Sequence, residues 1–356
     1  MRLALQQAAK GLTTTTPNPR VGCVIMRDGH VLAVGHTQPV GSAHAEAAAL
    51  QDAASRGIDV RGATVYVTLE PCSHHGRTPP CADALIKAGV SRLVAAIVDP
   101  NPLVAGQGLA RLREAGIAVT TGVLEQEARE MNIGFFSRIE RGLPWVRMKV
   151  AASLDGGTAL LNGASQWITS AAARDDGHAW RAQACAVLTG IGTVQQDDPQ
   201  LNVRAVATSR QPRRIVVDSK LQISPDAKIV QGGGTWIFAA QEDVERAARL
   251  RERGAEVIVL PDPSGKIDLA ELMRELGRRE INELHVEAGF KLNGSLLRAG
   301  CVDELLLYLA PSLLGQAQGM FNLPPLDDLS ARLQLAFHDI QQIGPDLRIL
   351  ARFTHS

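Results

Sequence analysis

The chain reads as an α/β protein of two domains, and three observations predict this. Short apolar, β-branched runs such as residues 21–26, 63–68 and 186–190 alternate with helical stretches along the sequence. At 356 residues the length exceeds what one hydrophobic core usually organises. The turn Gly142-Leu143-Pro144 follows a long helical stretch and supplies a boundary, giving domains 1–142 and 143–356.

Residues 1–11 read as the end of an amphipathic helix closing on Gly11, and a loop ending Pro17-Asn18-Pro19 leads into a buried strand at 21–26. Arg27-Asp28-Gly29-His30 has hairpin chemistry and predicts a return strand at 31–35. Ser42 stands where an N-cap belongs, ahead of an Ala-rich helix over 43–54. A strand over 63–68 delivers Cys72 just beyond its end, and Pro79-Pro80 lead into a helix over 81–88 that Gly89 closes. A strand at 92–98, a short helix at 109–115, a strand at 117–123 and a helix over 125–141 complete the first half. In the second half, strands are expected at 145–153, 186–190, 213–218, 235–240, 255–260, 283–287 and 303–309, and residues 333–353 close the sheet. Helices are expected from Ser170 to 184, over 269–279, and at a segment that Asn293-Gly294-Ser295 opens or crowds and that reaches Arg298.

Composition narrows the function. Lys plus Arg (37) equals Asp plus Glu (37), and no basic stretch is interleaved with aromatics, which counts against a polynucleotide or a membrane surface as partner. Five cysteines (Cys23, Cys72, Cys81, Cys185, Cys301) are few and odd in number, which argues against a disulfide framework. No signal-peptide core opens the sequence and no segment is apolar enough to span a membrane. A reducing cytoplasm is expected, where thiolates stay free for a metal.

The chemistry concentrates in His44-Ala45-Glu46, Leu69-Glu70-Pro71-Cys72 and Cys81. One imidazole and two thiolates fill three of the four tetrahedral positions of zinc and leave the last for water. Glu46 is then spare. A His/Cys/Cys site with a non-ligand Glu that moves protons is the residue pattern of a zinc-dependent deaminase. Glu46 would take a proton from the attacking water and return it to ammonia leaving a pyrimidine-like ring. Each residue alone has a plainer reading: His44 as a helix cap, Glu46 as a first-turn carboxylate, Cys72 and Cys81 as small buried hydrophobes. Their conjunction favours the metal. His74 and His75 are rival ligands; the thiols are preferred, and both histidines are read as facing substrate. The spacing departs from the common Pro-Cys-x-x-Cys, because eight residues, Ser73 to Pro80, separate the thiols.

Thr16-Pro17-Asn18-Pro19, Val21-Gly22-Cys23-Val24, His44-Ala45-Glu46 and the run from Tyr66 through Leu69-Glu70-Pro71-Cys72-Ser73-His74-His75-Gly76-Arg77-Thr78-Pro79-Pro80-Cys81 resemble the bifunctional deaminase/reductase family of riboflavin biosynthesis. That family carries the long insert between its thiols. The resemblance implies a cytidine-deaminase-like α/β/α sandwich with zinc on His44, Cys72 and Cys81, and substrate contacts from Asn18 and the 73–80 insert.

Signals in the second half are weaker on their own. Glu287-Ala288-Gly289, at a strand end ahead of a helix, has the look of a phosphate-cradling turn, although such turns are common in α/β domains. No Gly-x-Gly-x-x-Gly is present. Trp167 and Asp197-Asp198-Pro199 read by default as packing and turn chemistry, and Arg181 and Arg204 as solvated. The family resemblance continues through Lys149-Val150-Ala151-Ala152-Ser153-Leu154-Asp155-Gly156, Ser165-Gln166-Trp167-Ile168-Thr169-Ser170, Thr193 with Asp197-Asp198-Pro199, Ile215-Val216-Val217-Asp218-Ser219 and Val286-Glu287-Ala288-Gly289, so it covers essentially the whole chain. It implies a dihydrofolate-reductase-like α/β domain that uses NADPH to reduce the ribosyl group of the deaminated product to ribityl. It further implies NADPH contacts from Ala151, Trp167, Thr193, Asp197, Ser219 and the turn Gly289, Phe290, Lys291, Leu292, Asn293, Gly294, Ser295. Ser165, Arg181, Leu201, Arg204 and Glu287 would hold the phosphorylated substrate, and a homodimer is expected. Arginine suits that task because its guanidinium binds phosphate through two hydrogen bonds. Lys149, Asp155 and Glu287 are unranked candidates for the proton donor in the reduction. Two other readings stay open: a nucleoside or nucleic-acid deaminase with an accessory domain, and a non-catalytic zinc-stabilised binding protein, which would close its metal with a fourth protein ligand.

Overall fold

The computed structural model describes residues 1–73, 80–102 and 104–354, and the chain divides into two units, Met1–Gly142 and Leu143–Ser356. The N-terminal unit runs α1 (Arg2–Ala9), β1 (Gly22–Arg27), β2 (His30–His36), α2 (Ala45–Ser55), β3 (Thr64–Val67), α3 (Cys81–Ala88), β4 (Arg92–Ala95), α4 (Gln107–Glu114), β5 (Ala118–Thr120), α5 (Glu125–Met131) and α6 (Ile133–Arg141). Its sheet has the order β2-β1-β3-β4-β5, with β1 antiparallel to both neighbours and β3, β4 and β5 parallel.

Two close approaches reveal the layering. A Cβ on Gly22 would lie 1.9 Å from the Ala4 carbonyl of α1, and one on Gly35 would lie 2.3 Å from the Ala45 carbonyl of α2. Gly35 pairs across the sheet with Cys23, the neighbour of Gly22, and successive strand residues face opposite sides. Helices α1 and α2 therefore cover opposite faces, which makes the unit an α/β/α sandwich. Only glycine lets backbone meet backbone this closely.

Three expectations need correction here. The first helix ends at Ala9 with Lys10 as its cap, short of Gly11. Helix α2 is capped by His44, not Ser42, because Ser42 donates its N–H to Pro39 and Ala43 accepts from Gln38, which ties both into a turn after β2. The stretch 125–141 is two helices broken at Asn132. Asn132, 2% exposed, accepts the Arg20 N–H at 2.7 Å and donates to the Arg20 carbonyl at 2.9 Å, so its side chain serves the loop entering β1.

The C-terminal unit runs β6 (Trp145–Ser153), β7 (Ala159–Leu160), α7 (Ala171–Gln183), β8 (Ala186–Gly190), α8 (Ile191–Asp197), β9 (Arg213–Val217), β10 (Thr235–Ala239), α9 (Val244–Glu252), β11 (Glu256–Val259), α10 (Leu269–Arg278), β12 (Glu283–Val286), α11 (Phe290–Arg298), β13 (Glu304–Ala310), β14 (Ala317–Gln318), β15 (Leu335–Ile343) and β16 (Asp346–Phe353). Nine strands form one sheet in the order β11-β10-β9-β8-β12-β6-β13-β16-β15, parallel from β11 to β13, with β16 and β15 added antiparallel. Helix α9, which the sequence reading omits, carries its own signal: the Asp243 side chain caps it by accepting the Arg246 N–H at 3.0 Å. Helix α11 begins at Phe290 with Gly289 as its cap, so Asn293-Gly294-Ser295 lies inside it and does not open it. Gly294 is crowded as expected, since a Cβ there would lie 2.2 Å from the Asn322 carbonyl.

The two faces of this sheet differ in kind. Val146, Met148 and Val150 of β6, with Leu284 and Val286 of β12, pack on α10 and α11 side chains such as Leu272, Leu276 and Leu296. The opposite face under α7 is charged. Arg147 there binds Glu304, which Arg352 also reaches at 2.8 Å. The guanidinium of Arg147 lies 4.3 Å from the Trp180 ring centre, and the Tyr308 hydroxyl donates to Asp176 at 2.6 Å.

Replacing Asn132 by Ala strands the buried N–H and carbonyl of Arg20, at about 1–3 kcal/mol for each group left unpaired. The Asn132→Ala chain should therefore show a lower denaturation midpoint for the N-terminal unit with little change in the C-terminal one, followed by urea titration of the full chain.

Candidate functional site

In the N-terminal unit two helix starts converge. His44 is the N-cap of α2, and Cys81 is the first residue of α3, capped by Pro80. His44 makes no side-chain bond to its own helix, and its Nδ1 lies 3.6 Å from the Cys72 Sγ and 3.5 Å from the Cys81 Sγ. The Cys81 N–H donates to the Cys72 Sγ at 3.3 Å, and all three ligand atoms lie within 4.8 Å of one another. A tetrahedral zinc with ordinary Zn–S and Zn–N bonds separates sulfur from nitrogen by roughly 3.6 Å, so the donor set and its spacing fit the ion.

The electrostatics agree with that fit. The Cys72 thiol is held down to about 4, chiefly by the hydrogen bond from Cys81, while the same bond and burial push Cys81 up. A divalent cation bound here would take both sulfurs as thiolates and displace their protons. The Cys72 hydrogen bond raises His44. Glu46, 4% exposed in the first turn of α2, is pushed up to about 7 by burial. Asn18 lies in the loop ahead of β1, its N–H bound to the Thr15 carbonyl at 2.9 Å. His74, His75 and most of the insert fall outside the described residues.

In the C-terminal unit the residues of interest gather at the C-terminal ends of the parallel strands β8, β12 and β6, the usual edge for ligands in such sheets. Strand β8 ends at Gly190 and feeds α8, which carries Thr193 and Asp197. Strand β12 ends at Val286 and passes through Glu287 and Ala288 to Gly289, the cap of α11. A Cβ on Gly289 would sit 3.5 Å from the Thr193 hydroxyl, and one on Gly190 would sit 3.0 Å from Leu292, so the two turns touch. Burial raises Asp197. Further along α11, Ser295 donates back to the Lys291 carbonyl at 3.0 Å and the buried Asn293 reaches the Met320 carbonyl at 3.5 Å. The Asn293 Oδ1 is buried without a hydrogen-bond partner. Phe290 and Lys291 remain in the first turn.

Arg181, on α7, makes a two-point bond to Glu287 at 2.7 and 3.0 Å and donates to the Asn202 carbonyl at 2.6 Å. Arg204 donates to the Asn202 side chain at 3.2 Å, and Leu201 is buried with φ +48 beside it. Asn202 thus links the two arginines. Burial opposes ionisation of Glu287, but Arg181 and then Lys149 outweigh it and hold the carboxyl well below the usual range. Asp155 is held to about 2, first by the Ser153 hydroxyl and then by the N–H groups of Gly315 and Leu314. Neither carboxylate has a proton to give near neutrality. The third candidate donor, Lys149, lies on β6 with its ammonium 6.0 Å from the Tyr308 ring centre.

Other expected residues lie on further segments of the unit. Trp167 is 69% exposed, with the Arg174 guanidinium 4.4 Å from its ring centre. Ser219 follows β9 and accepts the Ala240 N–H at 3.1 Å, and Ser165 precedes Trp167 in its loop. Among the described residues no hydrogen bond joins Ser165, Trp167 or Ser219 to the Arg181–Glu287 pair. Two histidines were missed. His285 is fully buried with its Nε2 3.5 Å from Glu287, and burial drives it down to about 3. His178 is also buried, its Nδ1 lacks a partner, and it is lowered to about 4. Spacing signals both: His285 is two residues from Glu287 on a strand, and His178 three from Arg181 on a helix, so each shares the face of its neighbour.

Residues 144–349 match the RibD C-terminal domain, and residues 1–97 match the cytidine and deoxycytidylate deaminase zinc-binding region. The riboflavin biosynthesis protein RibD of Escherichia coli (strain K12) is 48% identical, across 98% of this chain and 96% of that protein. The Aquifex aeolicus RibD is 40% identical, with 98% and 96% covered. Among solved structures, an Acinetobacter baumannii RibD superposes with a TM-score of 0.90 at 40% identity, covering 99% of this chain and 98% of that one. A diaminohydroxyphosphoribosylaminopyrimidine deaminase/5-amino-6-(5-phosphoribosylamino)uracil reductase from Thermotoga maritima gives 0.89 at 33% identity, with 99% and 97% covered. With a deaminase zinc-binding region at one end, a reductase domain at the other and near-full-length likeness throughout, the chain belongs to the RibD family of bifunctional deaminase–reductases of riboflavin biosynthesis.

Proposed function

We propose that the N-terminal unit deaminates 2,5-diamino-6-(5-phosphoribosylamino)pyrimidin-4-one at a zinc held by His44, Cys72 and Cys81, and that the C-terminal unit then reduces the ribosyl group with NADPH. The observation that carries the first step is an imidazole nitrogen 3.5 and 3.6 Å from two thiols, beside a carboxyl group only 4% exposed. Bound there, zinc supplies Lewis acidity and an acidified water. Glu46 is not needed as a ligand, so it is free to accept a proton from the attacking water and deliver it to the departing amine. Its burial keeps bulk water from competing for that proton.

For the second step, Arg181 and Arg204 present two guanidinium groups bridged by Asn202, which suits a phosphate monoester. Glu287 fixes Arg181 and leaves a carboxylate edge for sugar hydroxyls. NADPH supplies the hydride. The adjoining turns of α8 and α11 offer Thr193, Asp197 and the N–H groups after Gly289 to hold that cofactor, with Ala151, Trp167 and Ser219 placed around it as the family resemblance implies. Assembly into a homodimer is supported by the last strand of the sheet: β15 exposes Phe337 (72%) and Ile340 (53%), and β16 exposes Leu347 (41%). The cytoplasm is the compartment that keeps Cys72 and Cys81 reduced.

Glu46→Gln should keep its zinc and lose ammonia release by about 10²–10⁴-fold, with NADPH oxidation on the deaminated product unchanged; an inductively coupled plasma zinc count run beside both assays checks this. Removing zinc with a chelator should stop ammonia release and spare NADPH oxidation when the deaminated product is supplied. In the reductase assay, Arg204→Met should raise KM for the phosphorylated substrate about 10-fold or more, without changing KM for NADPH. Phe337→Asp should weaken self-association in sedimentation velocity.

A further inference from the structure

A short Cys-x-x-Cys turn fixes its two thiols by its own geometry. Here eight residues separate them, and a loop of that length does not by itself set the distance between its ends. Something else has to, and α4 touches the chain at four residues around the two cysteines, Glu70, Pro71, Ser73 and Asp83.

Before Cys72, the Glu70 side chain, 3% exposed, accepts the N–H groups of Gly108 and Leu109 on Oε1 at 2.9 and 3.2 Å. Its Oε2 accepts those of Gly106 and Asp99 at 2.9 and 3.2 Å. These bonds lock the strand end onto the start of α4, the helix end that favours a carboxylate. The helix lies directly against the next peptide, since a Cβ on Gly108 would meet the Pro71 carbonyl oxygen at 1.9 Å. After Cys72, the Ser73 carbonyl accepts from Arg111 Nη1 at 3.5 Å. After Cys81, Asp83 in the first turn of α3 pairs with the Nε of the same Arg111 at 2.7 Å. One guanidinium therefore spans the two cysteine segments. Neither Glu70 nor Arg111 is among the candidate ligands, so each acts through what it holds.

We infer that α4 is a brace that sets the separation of Cys72 and Cys81, with Glu70 and Arg111 as positioning residues of the metal site. This rests on the reading of His44, Cys72 and Cys81 as zinc ligands. The brace does for the long insert what the short turn does in Cys-x-x-Cys. It holds the sulfurs at a separation that accepts a tetrahedral ion.

The test uses the full chain and reads the metal, not only the reaction. Zinc affinity is measured by competition with a chromogenic chelator, and the ligand field by the visible absorption of the cobalt(II)-substituted protein. Arg111→Met removes both guanidinium contacts at a half-exposed position, and Glu70→Gln takes away acceptor capacity while keeping shape. Each should weaken zinc binding by about 10–100-fold, as loss of a group supporting a ligand does. The cobalt thiolate bands should shift, with the circular dichroism and reductase activity of the wild type retained. Arg111→Lys, which keeps the Asp83 pair but not the two-point reach, should fall between. Should Glu70→Gln fail to fold, Arg111→Met decides alone. Folded variants that bind zinc at wild-type affinity with an unshifted cobalt spectrum overturn the brace. A wild-type chain that takes up no zinc overturns the metal-site reading itself, and the brace with it.

Discussion

One imidazole and two thiols on three separate segments arrive within 4.8 Å of one another, a set able to hold a metal ion, and the N-terminal unit is built around that convergence. His44 reaches it because α2 starts one residue later, so the cap position both aims the imidazole outward and places Glu46 in the first turn. Cys81 reaches it because α3 starts on that residue, with its N–H already committed to the Cys72 sulfur. Cys72 reaches it from the end of β3, which the sheet fixes between β1 and β4. Moving any one of these starts by a residue would turn its side chain by about 100° on a helix or to the other face of a strand. Gly35 lets the start of α2 seat directly on the sheet.

The C-terminal unit meets a different constraint. One face of its sheet is packed like an ordinary core, while the other is apolar along β8 to β10 but buries Arg147, Glu283, Glu304 and His285 beneath α7. Such a face is stable only if every charge is paired, because removing one partner from a buried pair costs about 3–5 kcal/mol. Arg147 is accordingly shared between Glu304 and Glu283, with Glu304 taken up again by Arg352. At the ligand edge the same design continues through Glu287 and Arg181. The charged layer thus runs from the Arg147–Glu304 pair at one end of the strands to the Arg181–Glu287 pair at the other. The two bonds to Glu287 and the one to the Asn202 carbonyl give the Arg181 side chain a fixed place.

Much of this was legible in the sequence. Patterns of hydrophobic alternation and the stops at Gly89 and Gly142 determine strand and helix positions, since these depend on local backbone preference and on which face is buried. The donor set His44, Cys72 and Cys81 with a spare Glu46 was also readable, because metal chemistry restricts residue type more sharply than fold does. What local reading mistook were the places where a side chain serves a distant segment. Asn132 breaks a helix to hold the Arg20 backbone 112 residues away, and the turn through Ser42 and Ala43 moves the cap of α2 to His44.

By itself, then, the sequence determined the chemistry available: one imidazole, two thiols, a free carboxylate, and arginines suited to phosphate. Only the tertiary structure decided how these are held. It put α4 against both cysteine segments, joined Arg181 to Glu287 across 106 residues, and buried His178 and His285 near that pair. The reason is physical: residue type and local spacing fix which bonds a side chain is able to make, whereas which partner it meets depends on packing between elements far apart in the chain.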